Sequence, residues 1–365
     1  MAAEKSLSVT LMIPGLVFAP RQQKEIFPHL PTLPALSELL HQSRHISGHA
    51  SGFETMLATK FGFSAHQHTQ QPIQHIQHSI QQHMQETLPI AALTYWHDKG
   101  RPPGKAVLRA DPVYLKVDRD CLYLLGQTSL QVSMDEAKAL ISQINSLYSD
   151  MPWSMEIGAA DRWYVCLEDE VDIQTHSLHE AFGKSIDAYL PQGTAGKKWR
   201  AVFNEIQMLL HSSDVNLNRE MNRRLPINSL WLWGEGPLPS RPANRACAFD
   251  YVWSNEPLCR GLALWARCPG DQLPATASEW SKLTQAGRHL IVFDDMRILA
   301  REDFQSFESK LIELDETWLE PLKKAVKNGQ VQLSIETENG TVFECAKTLW
   351  KKWWRKKRLW HQWFN

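Results

Sequence analysis

The chain has no aspartate before Asp98, no Cys-x-x-Cys pair, no long hydrophobic run and almost no net charge. Each absence excludes something. The six cysteines (121, 166, 247, 259, 268 and 345) are scattered, which argues for reduced, buried thiols and against a zinc site. No stretch approaches the roughly 18 apolar residues that cross a bilayer, and no basic segment followed by an apolar run opens the chain, so no secretory signal is expected. A formal charge of −1 means that any contact with nucleic acid or a membrane must come from a local patch. The missing early aspartate bears on catalysis. Leu7–Gly15 reads as a buried strand running into a turn. In an open α/β sheet, chemistry gathers at the carboxyl end of such a strand, and a hard cation there needs carboxylate oxygens. This strand ends in Pro14 and Gly15.

At 365 residues, 43% apolar and 22% charged, the chain has the composition of a globular protein with room for two domains or one domain with an insertion. Leu36, Leu39 and Leu40 predict a short amphipathic helix, and Gly52–Phe63 a second one with Met56, Leu57 and Phe61 inward. Residues 64–88 read as an amphipathic helix through Ile73, Ile76, Ile80 and Met84; the histidines at 66, 68, 75, 78 and 83 form its solvated face rather than a metal site. Val113–Val117 and Cys121–Leu125 read as a strand pair. Ser133–Tyr148 reads as a helix opened by a Ser133/Glu136 capping box. Trp163–Leu167 is predicted as a strand and Trp199–Leu210 as a helix. Asn228–Trp233 is predicted as a strand running into a Gly-rich turn, and Leu262–Trp265 and His289–Phe293 as two more strands. Phe304–Ala325 reads as one long helix, and Val331–Ile335 with Thr341–Phe343 as a hairpin turning at Asn339-Gly340. Strands separated by helices predict a mostly parallel sheet.

Four segments, in order and spacing, resemble the archaeal-type cofactor-independent phosphoglycerate mutases of the alkaline phosphatase superfamily, and most closely a bacterial offshoot labelled phosphoglycerate mutase or rpf-type regulatory protein. Gly52-Phe53-Glu54-Thr55 through Phe61-Gly62-Phe63 resembles the family's Gly-Ser-Asp…Leu-Gly-Tyr helix. Ala110-Asp111-Pro112 through Ile144-Asn145 resembles the start of its inserted substrate domain. Asp214–Arg219 followed by Pro226–Gly236 resembles the return to the core, and Phe293-Asp294-Asp295 through Leu322 the late strand, loop and helix. The resemblance implies an alkaline-phosphatase-like α/β fold, with a mostly parallel sheet flanked by helices and an inserted smaller α+β domain. The expected division is a first core part at 1–105, the insertion at 106–195, a second core part at 196–345 and a basic Trp-rich helix at 346–365.

Family enzymes pass phosphate through a Ser or Thr held by two metal ions. Matched residue by residue, the first-strand aspartate is replaced by Pro14-Gly15, and Phe53 stands at the nucleophile position. Ser51 is one residue off, a helical rotation of about 100°. Glu54 replaces the next metal aspartate. The Asp-Glu-x-Gly-His-Asp segment reads Asp294-Asp295-Met296-Arg297-Ile298-Leu299, and the final Asp/His pair meets Glu336-Thr337-Glu338. The arginine-rich substrate loop reads Gly126-Gln127-Thr128-Ser129. No catalytic residue is assigned and no cofactor is expected; Glu54, Asp294 and Asp295 are the metal candidates, for Mn²⁺ or Mg²⁺, in the alternative where an enzyme with an altered site survives. Parts that act as a unit fail together, so the expected function is a mutase-like binding or regulatory protein that has lost phosphoryl transfer.

Two further sets invite a binding reading. Asn216, Arg219 and Asn228 with Gly234 and Gly236 combine polar side chains with a Gly turn that can present N–H groups to an anion, against turn chemistry and packing as the alternative; Trp231 and Trp233 share one strand face and read as packing. Lys347–Asn365 holds seven Lys/Arg, five Trp and no acid. Trp350, Lys351, Trp353, Trp354, Arg355, Lys356 and Trp360 there suit a membrane surface or partner, a phosphate backbone less well, and equally a terminal helix packed on the core with its basic groups snorkelling. The expected partner is an unknown protein or an anionic small molecule, and the expected location is cytoplasmic or peripheral at the inner membrane.

Overall fold

The computed structural model describes residues 7–17, 30–48, 52–63, 88–119, 121–125, 127–245, 247–349 and 358–363. The chain divides into two compact units, Met1–Phe63 with Arg241–Asn365 and Ser64–Ser240 between them. Its strands are β1 (Leu7–Met12), β2 (Arg44–Ile46), β3 (Val107–Asp118), β4 (Cys121–Leu125), β5 (Trp153–Ala159) and β6 (Arg162–Leu167). They continue with β7 (Ser229–Trp233), β8 (Tyr251–Ser254), β9 (Gly270–Asp271), β10 (Arg288–Val292), β11 (Val331–Glu336) and β12 (Val342–Cys345).

The first unit is built on a sheet of order β2-β12-β11-β1-β10-β8-β9. Its five central strands are parallel, with Val9 opposite His289 on one side and Leu333 on the other. Strands covered on both faces read as continuous apolar runs, and β1 and β10 carry Leu11, Met12, Leu290, Ile291 and Val292, all buried. The expected hairpin closes one edge: β11 and β12 are antiparallel, Gly340 has φ 80°, and Asn339 Oδ1 accepts from Thr341 N at 3.0 Å. The expected long helix runs as Phe304–Leu314, a π turn at Asp315–Leu319, then Glu320–Asn328. The π turn has a use. Helix Pro34–Gln42 has no side-chain cap of its own, and Asp315 accepts its Ala35 N–H at 3.0 Å and its Leu36 N–H at 2.7 Å, satisfying two donors that a helix start leaves open.

One expected strand is a helix. Leu262–Trp265 lies in helix Pro257–Trp265, which starts on a proline and is capped by the Glu256 carboxylate accepting Cys259 N–H. Leu258, Leu262 and Trp265 recur at helical spacing and are buried; four apolar residues alone do not distinguish the two periods.

The second unit is a five-stranded antiparallel sheet. Strand β3 pairs with β4, β6 and β7 along its length, and β5 pairs with β6. Strand β7, expected to return the chain to the core, instead lies antiparallel to Arg109–Val113. Helices Met134–Leu147 and Gly196–His211 cover one face through Leu140, Ile144, Trp199 and Ile206 against Trp163, Val165 and Leu232. Helix Ile90–Lys99 covers the other through Ala91 and Tyr95 against Val107 and Tyr164. The capping box forms as read: Ser133 N donates to Glu136 Oε2 at 2.7 Å and Glu136 N to Ser133 Oγ at 3.2 Å. The described cysteines are all free thiols, and among the described residues no helix is long and apolar enough to cross a membrane. The Gln/His segment, Ser51 and the tail residues 350–357 lie outside the described residues.

Candidate functional site

The expected location of chemistry is the carboxyl end of β1. This strand sits where the sheet order reverses, with β10 on one side and β11 on the other, the place where open α/β sheets form their crevice. Three segments meet there in the first unit: the β1 end at Pro14-Gly15, the β10 end at Asp294–Arg297 and the start of helix Phe53–Lys60. Gly15 has φ +94°, and a Cβ on it would lie 2.9 Å from the Met296 carbonyl carbon and 3.0 Å from Arg297 N. The backbone of the β10 loop thus fills the space a side chain would need, and no carboxylate can stand at position 15 without moving it.

Arg297 occupies the centre of this arrangement. Its Nη2 donates to Glu54 Oε1 at 2.6 Å and to Asp295 Oδ2 at 2.8 Å. Its Nε donates to both Asp295 oxygens at 3.1 Å, and its guanidinium carbon stands 5.1 Å from the centre of the Phe53 ring. All three charged side chains are less than one-fifth exposed. Planar fork geometry makes arginine the residue for such bidentate pairing, and the Phe53 face adds a cation–π contact. Burial pulls the guanidinium pKa down, but Glu54 and Asp295 outweigh it and hold the proton more firmly than usual. Lys60 does the same nearby, donating to Glu336 Oε1 at 2.7 Å.

The candidate metal ligands therefore have a resident partner. Glu54 and Asp295 share one guanidinium, and Asp294 is exposed at the strand end. Among the described residues no group of three or more His, Cys, Asp or Glu side chains could hold a metal ion. A two-metal phosphoryl-transfer centre does not fit this donor set.

Two carboxyl groups that sequence reading passed over flank the site. Burial pushes Glu256 up to about 7, and the charges of Asp295 and Glu54 add to the rise while the Cys259 N–H opposes it. Burial likewise pushes Glu338 up to about 7 against the pull of Arg297. Between the ordinary value of 4.5 and about 7, the native state keeps protons that the unfolded chain has lost. Stability therefore falls as pH rises through that window, by at most about 1.4 kcal/mol per pH unit for each group. The Glu338→Gln variant is expected to show a shallower decline than wild type in urea titrations at pH 4.5–7.5; identical slopes would place the Glu338 pKa elsewhere.

The proposed anion set in the second unit is spent on the protein's own backbone. Asn216, which is buried, donates to Leu210 O at 2.7 Å and Ile227 O at 2.8 Å and accepts from Ile227 N at 2.8 Å. Arg219 is 1% exposed and donates to Glu136, Leu225 O and Leu130 O. Asn228 completes a two-way bridge with the Leu115 peptide at 2.7 and 2.8 Å. Gly234, with φ 77°, gives its carbonyl to Ala91 N, while Gly236 lies two residues on with φ 131°. Trp231 and Trp233 are buried and donate to His176 O and Asp111 Oδ2. At the terminus, Trp350, Lys351, Trp353, Trp354, Arg355 and Lys356 lie outside the described residues. Lys347–Leu349 and Trp360–Trp363 form 3₁₀ turns where one helix was expected. Trp360 is 1% exposed in the core of the first unit and donates to Pro31 O at 2.9 Å; its indole is a core anchor.

No family model matches the chain. It is 29% identical over 110 residues to a 2,3-bisphosphoglycerate-independent phosphoglycerate mutase of Methanosarcina barkeri, a match covering 30% of this chain and 28% of that protein. It is 38% identical over 69 residues to such a mutase of Methanothermobacter thermautotrophicus, covering 19% and 17%. The matched stretch thus spans under a third of the length of these relatives. A solved Pyrococcus horikoshii protein shares the fold at 12% identity with a TM-score of 0.55, covering 93% of this chain and 88% of that one. The fold is α/β and alkaline-phosphatase-like, and the chain is a distant homologue of cofactor-independent phosphoglycerate mutases.

Proposed function

We propose that this chain is a mutase-like protein without phosphoryl-transfer activity, which acts as a binding or regulatory protein in the manner suggested by its resemblance to the bacterial offshoot of the family. One observation carries the reading: Phe53 stands where a nucleophile is expected, and its ring lies against the Arg297 guanidinium. A phenyl ring has no oxygen to phosphorylate, and a fixed cation beside it takes up the two carboxylates a metal would use. Phosphoryl transfer rests on in-line positioning and charge neutralisation by metal ions, so both requirements fail together.

The test is turnover. Purified protein is offered 3-phosphoglycerate and an aryl phosphate with Mn²⁺, Mg²⁺, Zn²⁺ or Co²⁺. The expected result is no mutase or phosphatase activity above the no-protein rate with any metal. Metal-stimulated turnover that disappears in Glu54→Ala or Asp294→Ala would overturn the proposal and restore an enzyme with an altered site.

A further inference from the structure

We propose that Arg297, held between Glu54 and Asp295 and over Phe53, is the permanent cation of this site and makes the carboxylate pair independent of divalent metal. This rests on the reading of the site as non-catalytic, but its test does not. Two carboxylates brought together by the fold repel each other unless a positive charge sits between them. A divalent ion with coordinated water is one solution, and a guanidinium with fork geometry is another. Here the guanidinium reaches Asp295 through three contacts of 2.8–3.1 Å and Glu54 at 2.6 Å. Arg297 N also donates to Asp295 Oδ1 at 2.9 Å, so the same loop that supplies the cation fixes the carboxylate. A guanidinium stays charged at any physiological pH and cannot be removed by a chelator. The consequence is a prediction in reverse: a neutral side chain at 297 leaves Glu54 and Asp295 facing each other with no internal cation, and a divalent ion becomes the remaining way to neutralise them.

The experiment is Mn²⁺ titration by calorimetry, checked by electron paramagnetic resonance, on the full chain. Wild type is expected to show no stoichiometric Mn²⁺ uptake and no Mn²⁺-dependent shift in melting temperature. Arg297→Met is expected to gain about one Mn²⁺ per chain, held by the carboxylate pair and water, with a melting temperature that rises with added Mn²⁺ by mass action. Adding Glu54→Gln to that variant should abolish the gain, and Arg297→Lys, which keeps the charge, should show none. An Arg297→Met protein with native circular dichroism and no Mn²⁺ uptake overturns the inference. The wild-type arm decides even if that variant does not fold: stoichiometric Mn²⁺ uptake lost in Glu54→Gln overturns it too. Neither outcome depends on turnover, so the metal inference and the loss of catalysis stand or fall separately.

Discussion

Trp360→Ala is expected to lower the stability of the first unit by about 3–5 kcal/mol, a fall in melting temperature on the order of 10 °C. The indole is 1% exposed and packs with Leu36, Phe343 and their neighbours in one core, so its loss leaves a cavity that a packed interior fills only in part. It also leaves the Pro31 carbonyl without the donor that reaches it at 2.9 Å, adding the penalty for an unsatisfied buried polar group. Trp360→Phe should recover most of the packing and none of the hydrogen bond, and so fall between the two. Differential scanning calorimetry measures the effect. The alternative use of the tail, as a membrane contact through Trp360, predicts the opposite pattern: unchanged stability and weaker co-sedimentation with anionic liposomes.

Arg219→Ala in the second unit carries an effect of similar size, about 3–5 kcal/mol, because removing one partner of a buried ion pair strands the other. Arg219 Nε and Nη2 donate to the two oxygens of Glu136 at 2.9 and 3.0 Å, while Nη1 reaches Leu225 O at 2.7 Å and Nη2 reaches Leu130 O at 2.9 Å. Glu136 also caps the helix that begins at Met134. Burial raises its pKa, and the hydrogen bonds from Arg219 and Ser133 more than reverse this, holding the carboxyl below its ordinary value. The pair thus contributes at neutral pH and is lost as pH falls through that depressed pKa. Arg219→Lys cannot reproduce a fork that serves a carboxylate and two carbonyls at once, and should recover less than half of the loss. Urea denaturation followed by tryptophan fluorescence reports it. An Arg219→Ala protein of unchanged stability but weakened phosphate binding would return the residue to the anion reading.

Local signals were legible wherever the cause is local. The Ser133/Glu136 box, the Asn339-Gly340 hairpin and the periodic helices at residues 34–42, 134–147 and 304–328 depend on residues a few positions apart, and each formed. Leu262–Trp265 shows the limit, since a short apolar run carries no period and only its flanks, Glu256 and Pro257, favour a helix. Strand β7 was found as a strand but given the wrong neighbour, because an apolar strand does not encode which sheet it joins.

The site divides along the same line. The sequence by itself determined that the first strand ends without a carboxylate, that position 53 has no nucleophilic oxygen and that few of the expected metal ligands are present; these are statements of residue identity. Only the tertiary structure decided what replaced them. Arg297 and Glu54 are 243 positions apart, and Asp315 caps a helix about 280 positions away. Trp360 meets Pro31 across 329. Such pairs have no periodic signature, because the order of strands in the sheet brings them together. Whether Arg297 is a surface cation or an internal counter-ion depends on which carboxylates the fold places within hydrogen-bond reach.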